Sequence, residues 1–168
     1  MRDKAIELLA SRGVAVREIA LIVQSLQQQY LPDLSVEECE ASVMAVLDKR
    51  EAQHAIFTGI ALDILAEKGQ LPEPLSEIVR TDEPLYGVDE ILALAITNIY
   101  GSVGLTSFGY LDKVKHGVIG ELNKHAHGRV NTFLDDLIAG VAAAAAARIA
   151  HQRGRVAQKG GGGSSLDE

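Results

Sequence analysis

The 168-residue sequence has no tryptophan, and phenylalanine and tyrosine bring its aromatic share to only 4%. A core without large rings must be aliphatic, built from Leu, Ile, Val and abundant Ala, and such small side chains let helices approach closely. Cys39 is the single cysteine, which excludes a disulfide framework and a Cys-rich zinc site and suits a reducing cytoplasm. No Cys-His constellation accompanies it, so Cys39 is expected in the core rather than as a nucleophile. Positive charge is also scarce: 16 Lys and Arg face 23 Asp and Glu, a net charge of −7 and a pI near 5.2. Without a basic stripe, general nucleic-acid binding is excluded. An acidic protein that handles phosphate needs a metal or a local basic pocket.

Long apolar runs are missing as well. The N-terminus, MRDKAIELLASRG, lacks the apolar stretch of a signal peptide. The uncharged run of 21 residues from Ile91 to Leu111 has the length of a bilayer span. Its Thr97, Asn98, Ser102, Thr106 and Ser107, with Gly101, Gly104 and Gly109, predict instead a buried helix followed by a Gly-rich loop. What is present is ordinary globular material, 47% apolar and 23% charged, enough for one domain with a real core. No GxSxG, Walker A or dinucleotide fingerprint occurs.

The pattern predicts an all-α chain, since nothing alternates at period two. Helices are expected from about Asp3 to Arg12, ended by Gly13, and through VAVREIALIVQSLQQQY, ended before Pro32. The second carries a stripe of Val16, Ile19, Ala20, Val23 and Leu26, so the two form a hairpin that packs on something else. Ser35 to Glu38 is a capping box that starts a long helix reaching Lys68-Gly69, with a kink or boundary predicted at Thr58-Gly59. A proline-flanked connector with one short helix at most, a helix from YGVDEILALAITNIYG, a short helix around Val118 to Lys124 and a final Ala-rich helix follow. Residues 1–155 read as a single domain and 156–168 as a flexible Gly/Ser-rich tail.

Two segments share a pattern of apolar, acid, acid, apolar, apolar, Ala: Val88-Asp89-Glu90-Ile91-Leu92-Ala93 and Leu134-Asp135-Asp136-Leu137-Ile138-Ala139. Acids in a first helical turn complement the macrodipole and are ordinary there. The duplication suggests more, because small residues follow both pairs and let the two helices bring four carboxylates together. Buried carboxylates need a cation, and Asp and Glu oxygens with water are the ligand set of Mg²⁺, which clamps phosphoryl oxygens.

The motifs also resemble a known family. TDEPLYGVDEILA, with Asp82 seven residues before Asp89-Glu90, is similar to the D-x6-DE-x2-A/G motif of the phosphatidylglycerophosphatase A family. Leu111-Asp112-Lys113-Val114-Lys115 resembles its FDxxKP motif, with His116 in place of the proline, and Leu134 to Gly140 resembles its DDxxAG motif. The overall pattern, including KREAQHAIFTGIALD, looks most like the soluble, YutG-like branch. The resemblance implies a compact all-α fold around a central buried helix and Mg²⁺-dependent hydrolysis of phosphatidylglycerophosphate to phosphatidylglycerol and phosphate. It implies Asp89, Glu90, Asp135 and Asp136 as metal ligands and catalytic acids, with Asp112 a further catalytic acid and Asp82 a supporting carboxylate. Lys115 and Lys113 are the implied phosphate-binding residues. The family's PGT-like motif is reduced to Thr58-Gly59, and lipid-facing hydrophobic segments are replaced by a polar, Gly-rich stretch. Other readings are a non-catalytic helical metal-binding or oligomeric protein and a phosphatase for a soluble phosphomonoester. A cytoplasmic homo-oligomer is expected, with peripheral contact at the inner face of the membrane.

Three further features are read as structural. His125-x-His127, with His116 and Asn131 nearby, has imidazoles that suit zinc or copper but reads as an exposed loop. His54 reads as a helix-face residue, and Lys49-Arg50-Glu51 as a solvated face from which Arg50 is a minor candidate for phosphate.

Overall fold

The computed structural model describes residues 1–124 and 128–160, with side chains through 154. Its elements are α1 (Arg2–Ser11), α2 (Val16–Gln27), α3 (Val36–Leu47), α4 (Arg50–Glu67), α5 (Leu75–Thr81), α6 (Val88–Thr97), a 3-10 turn (Asn98–Tyr100), α7 (Ser102–Val114), α8 (Val118–Leu122) and α9 (Leu134–Gly160). Among the described residues there is no strand.

The fold is organised by α9. Its Val141 and Ala142 through Ala147 are fully buried, and α2, α3, α4, α6, α7 and α8 all pack on it. An Ala face costs little side-chain entropy and lets axes come close, so one helix serves six neighbours. A close approach is made at Gly140, where a Cβ would lie 2.9 Å from the Ala93 carbonyl oxygen of α6. Ser42 of α3 donates to the Ala145 carbonyl at 2.9 Å and ties α3 to the same helix.

The N-terminal hairpin forms as the punctuation predicts. Gly13 takes φ 86° after α1, and Ile19, Ala20, Ile22 and Val23 of α2 face α3 and α9. The capping box is present, with the Ser35 hydroxyl accepting from Glu38 N at 3.2 Å and the Glu38 carboxylate accepting from Ser35 N at 3.1 Å. Cys39 is buried beneath it, and burial, with Glu38 and Glu37 beside it, pushes its thiol up to about 11.

Three expectations are corrected. The long helix breaks at Asp48-Lys49, between α3 and α4, and not at Thr58-Gly59. Gly59 is inside α4 because a Cβ there would lie 2.6 Å from Leu137 Cδ1 and 2.9 Å from Phe133 Cβ; close packing, not a kink, requires it. The expected Gly-rich loop is helix α7. Gly104 faces the Thr97 carbonyl, where a Cβ would sit at 3.1 Å, so the glycine serves packing while Thr106 and Ser102 stay on the exposed side. Finally, α9 runs to Gly160, beyond the predicted start of the tail at 156; residues 161–168 lie outside the described residues. Among the described residues no helix is long and apolar enough to cross a membrane.

Candidate active site

The α6–α9 crossing at Ala93 and Gly140 places the acidic first turns of both helices side by side. A cavity of about 240 Å³ opens there, lined by residues of the 82–90 segment, by Asp112 and Lys115 of the α7 terminus, by Asn123, and by Thr132, Asp135 and Asp136. The two acidic pairs, Asp82 and Asp112 therefore line one space. Asp89, Asp135 and Asp136 are buried, whereas Glu90 is exposed at the rim. Lys113 is exposed and does not line the cavity.

Lys115 stands at the centre. Its Nζ donates to Asp112 Oδ1 at 2.6 Å, to Asp135 Oδ2 at 3.0 Å and to Asp136 Oδ1 at 3.5 Å. Burial opposes its charge, but Asp135, Asp112 and Asp136 outweigh that cost and hold its pKa above the usual lysine value. Asp135 is pushed up to about 6 by burial, against the pull of Lys115. Asp136 is pushed up to about 8 by burial and by the adjacent Asp135 charge. Burial, with Asp82 nearby, also raises Asp89. Among the described residues no three His, Cys, Asp or Glu side chains form a ready metal cage; the ammonium occupies the point of convergence.

Backbone strain gathers at the same place. Asp82, Leu85 and Lys115 are the non-glycine residues with positive φ among the described residues, at 52°, 69° and 48°, and all three line this cavity. Such residues persist only where their surroundings fix them, and they cluster at functional sites. For Lys115 the surroundings are visible: Gly120 of α8 lies so close that a Cβ would be 2.4 Å from the Lys115 carbonyl oxygen. Tyr86, another lining residue, packs edge-on against Phe133 with ring centroids 5.9 Å apart, which joins the 82–87 segment to the start of α9.

The approach to α9 is held from below. Arg12 Nη2 donates to Glu67 Oε1 at 2.6 Å, to the Val130 carbonyl at 2.7 Å and to Asn131 Oδ1 at 2.9 Å, while Asn131 Nδ2 reaches the Leu122 carbonyl at 3.0 Å. Asn131 is thus a structural residue. Asp63 is fully buried and accepts from the amides of Phe133 and Leu134 at 3.1 and 3.0 Å. Neither Arg12 nor Asp63 was expected from the sequence. The signal for Asp63 is a charge on an apolar stripe, since it continues the buried series Ile56 and Ile60 at helical spacing.

The remaining candidates lie elsewhere. His54 and Arg50 line a separate depression with Arg2 and Asp48. His116 faces a larger groove of about 860 Å³ between α2, α7 and α9, whose lining holds no carboxylate. His125 and His127 lie outside the described residues.

Residues 14–151 match the family model described as phosphatidylglycerophosphatase A. The chain is 56% identical to the uncharacterized protein YpjQ of Bacillus subtilis, over 90% of this chain and 85% of that one. It is 51% identical to the uncharacterized protein YutG of the same organism, over 90% and 92%. Among solved structures, the low temperature requirement C protein from Listeria monocytogenes superposes with a TM-score of 0.89 at 52% identity, covering 91% of this chain and 96% of that one. The structure of YpjQ gives a TM-score of 0.89 at 54% identity, over 92% and 96%.

Proposed function

This chain belongs to the phosphatidylglycerophosphatase A family, and we propose that it is a Mg²⁺-dependent phosphatase whose substrate is the phosphomonoester of phosphatidylglycerophosphate. The observation that carries the reading is the convergence of Asp89, Glu90, Asp112, Asp135 and Asp136 from three helices on one cavity around Lys115.

The donor set fits Mg²⁺. It offers hard oxygen atoms only, and the ion is usually held by one or two carboxylates together with water and substrate phosphate rather than by an all-protein cage. Asp135 and Asp136, with Asp89 and Glu90 across the crossing, are the residues that would hold it. When bound, Mg²⁺ neutralises charge on the phosphoryl oxygens.

The side chains supply the rest. Lys115 offers a positive point charge whose longest contact, 3.5 Å to Asp136, is the one a phosphate oxygen would replace. Asp136, freed of that contact, accepts a proton from the water that forms the new bond to phosphorus. The ester P–O bond breaks, the leaving oxygen takes a proton from solvent, and Asp136 returns the proton it accepted to solvent. Asp112 and Asp135 keep Lys115 in place at 2.6 and 3.0 Å throughout.

The lipid substrate is supported by an apolar lip. Leu85 lines the cavity yet is fully exposed, and Val88 and Ile91, in the α6 turn that carries Asp89 and Glu90, are 49% and 67% exposed. Such a rim suits a phosphate presented from a bilayer surface, to which this chain would attach from one side. One observation favours a non-catalytic reading: the Lys115 ion pairs already balance part of the cluster without a metal.

Phosphate release from phosphatidylglycerophosphate in mixed micelles and from soluble phosphomonoesters, with Mg²⁺ or with EDTA, decides among these. Mg²⁺-dependent release from the lipid is expected. Release from soluble esters alone would keep the chemistry and discard the lipid, and no release from either would favour the structural reading.

A further inference from the structure

The first turn of α9 has a problem that its own sequence does not solve. A helix leaves its first amides without intrahelical acceptors, and here Phe133, at the N-cap position, has no side-chain oxygen. Phe133 and Leu134 are fully buried, so water cannot accept from them. The Thr132 hydroxyl donates to the Val79 carbonyl at 2.7 Å and accepts from neither the Phe133 nor the Leu134 amide.

The acceptors come from α4. Asp63 Oδ1 takes the Phe133 amide at 3.1 Å and Asp63 Oδ2 takes the Leu134 amide at 3.0 Å. One turn further along α4, Glu67 Oε1 takes the Val130 amide at 2.8 Å. The next two amides are also accounted for: Asp135 N donates to the Asn131 carbonyl at 3.2 Å, and Asp136 N to Asp135 Oδ1 at 2.9 Å. Every amide from 133 to 136 thus has one acceptor, and the first two depend on a single side chain.

We propose that Asp63, assisted by Glu67, is a positioning residue that fixes the Asp135 and Asp136 carboxylates through the backbone amides of Phe133 and Leu134. The inference rests on the reading of Asp135 and Asp136 as the working acids. Asp63 does not line the cavity and so cannot touch substrate. It acts by setting where the residues at 135 and 136 begin. A carboxylate is the suitable group because both of its oxygens accept and its negative charge faces the positive end of the helix. An amide offers one acceptor and turns an N–H toward another N–H.

The test compares wild type, Asp63→Asn and Ser42→Ala, the last removing a different buried hydrogen bond onto the same helix, at Ala145. Two quantities are read on folded protein: amide hydrogen exchange across 133–136, and kcat and KM for phosphate release. Asp63→Asn is expected to speed exchange in 133–136 about tenfold and to lower kcat about tenfold or more with KM within about twofold, since small misplacements of reacting groups are costly. Ser42→Ala is expected to change neither. Wild-type exchange in Asp63→Asn, or wild-type kcat despite faster exchange, would overturn the proposal, as would equal losses of kcat in both variants. If wild type releases no phosphate, the phosphatase reading fails on its own, and the exchange arm still decides whether Asp63 holds the turn. Should Asp63→Asn not fold, Glu67→Gln, at a partly exposed position, is expected to speed exchange at Val130 and lower kcat about threefold; wild-type values there would likewise overturn the proposal.

Discussion

Replacing Lys115 with methionine probes how the acid cluster is balanced. The substitution keeps the aliphatic stem and the left-handed backbone and removes the ammonium shared by Asp112, Asp135 and Asp136. The side chains of Asp135 and Asp136 are only 6% and 5% exposed, so water replaces the ammonium poorly. Breaking a buried pair by removing one partner costs about 3–5 kcal/mol. Lys115 itself is 27% exposed, and solvent screening reduces the expected loss to about 2–3 kcal/mol. In a chain of this size that corresponds to a fall in Tm of about 5–10 °C. The loss must depend on pH. Asp135 and Asp136 titrate near about 6 and about 8, so both are charged at alkaline pH and largely neutral at pH 5. Thermal unfolding of wild type and Lys115→Met, without divalent ions, should show the full deficit above pH 8 and about half of it or less at pH 5. Added Mg²⁺ should restore more Tm to the variant than to wild type. An equal deficit at both pH values, or none at alkaline pH, would refute the electrostatic account.

Wild type itself should lose stability as pH rises. Burial lifts Asp135 and Asp136, so between about pH 4 and pH 8 the folded chain holds protons that the unfolded chain has lost. The slope is at most about 1.4 kcal/mol per pH unit for each such proton; urea unfolding across that interval checks it, and stability that increases instead would contradict the assignment. Gly120→Ala drives a Cβ into the Lys115 carbonyl, and should cost about 1–3 kcal/mol and lower phosphate release without altering any cavity-lining residue; unchanged activity would show that the Lys115 backbone is not held there. Gly140→Ala meets the Ala93 carbonyl. A gain of about 1 kcal/mol in helix propensity offsets part of an overpacking cost of similar size, so Tm should change little while activity falls; full activity would mean the α6–α9 spacing is not critical.

Much of the site was legible because its groups are repeated and local. The two acidic pairs could be matched by eye, and the small residues after them announced a close crossing, which Ala93 and Gly140 provide. The capping box and Gly13 set helix ends by short-range chemistry and formed as expected. What the sequence hid depends on distant contacts. Gly104 and Gly59 look like breakers until their neighbours, the Thr97 carbonyl and Leu137, are known. The Lys115 side chain was placed at the site by its motif, but its left-handed backbone, packed against Gly120, was not legible from the sequence. Arg12 and Asp63 act across 119 and 70 residues of sequence, through Asn131 and Phe133. No local pattern reports such a partner, although an aspartate on the apolar face of α4 was the one visible anomaly.

On the proposed reading, carboxylates from α6 and α9 meet to hold a divalent cation. Calorimetric titration of Mg²⁺ into wild type, Asp135→Asn and Asp136→Asn at pH 8 tests it most directly. Saturable binding by wild type, weakened about tenfold or more in each variant, is the predicted result. Absence of Mg²⁺ binding by wild type, or equal binding by all three proteins, would contradict it.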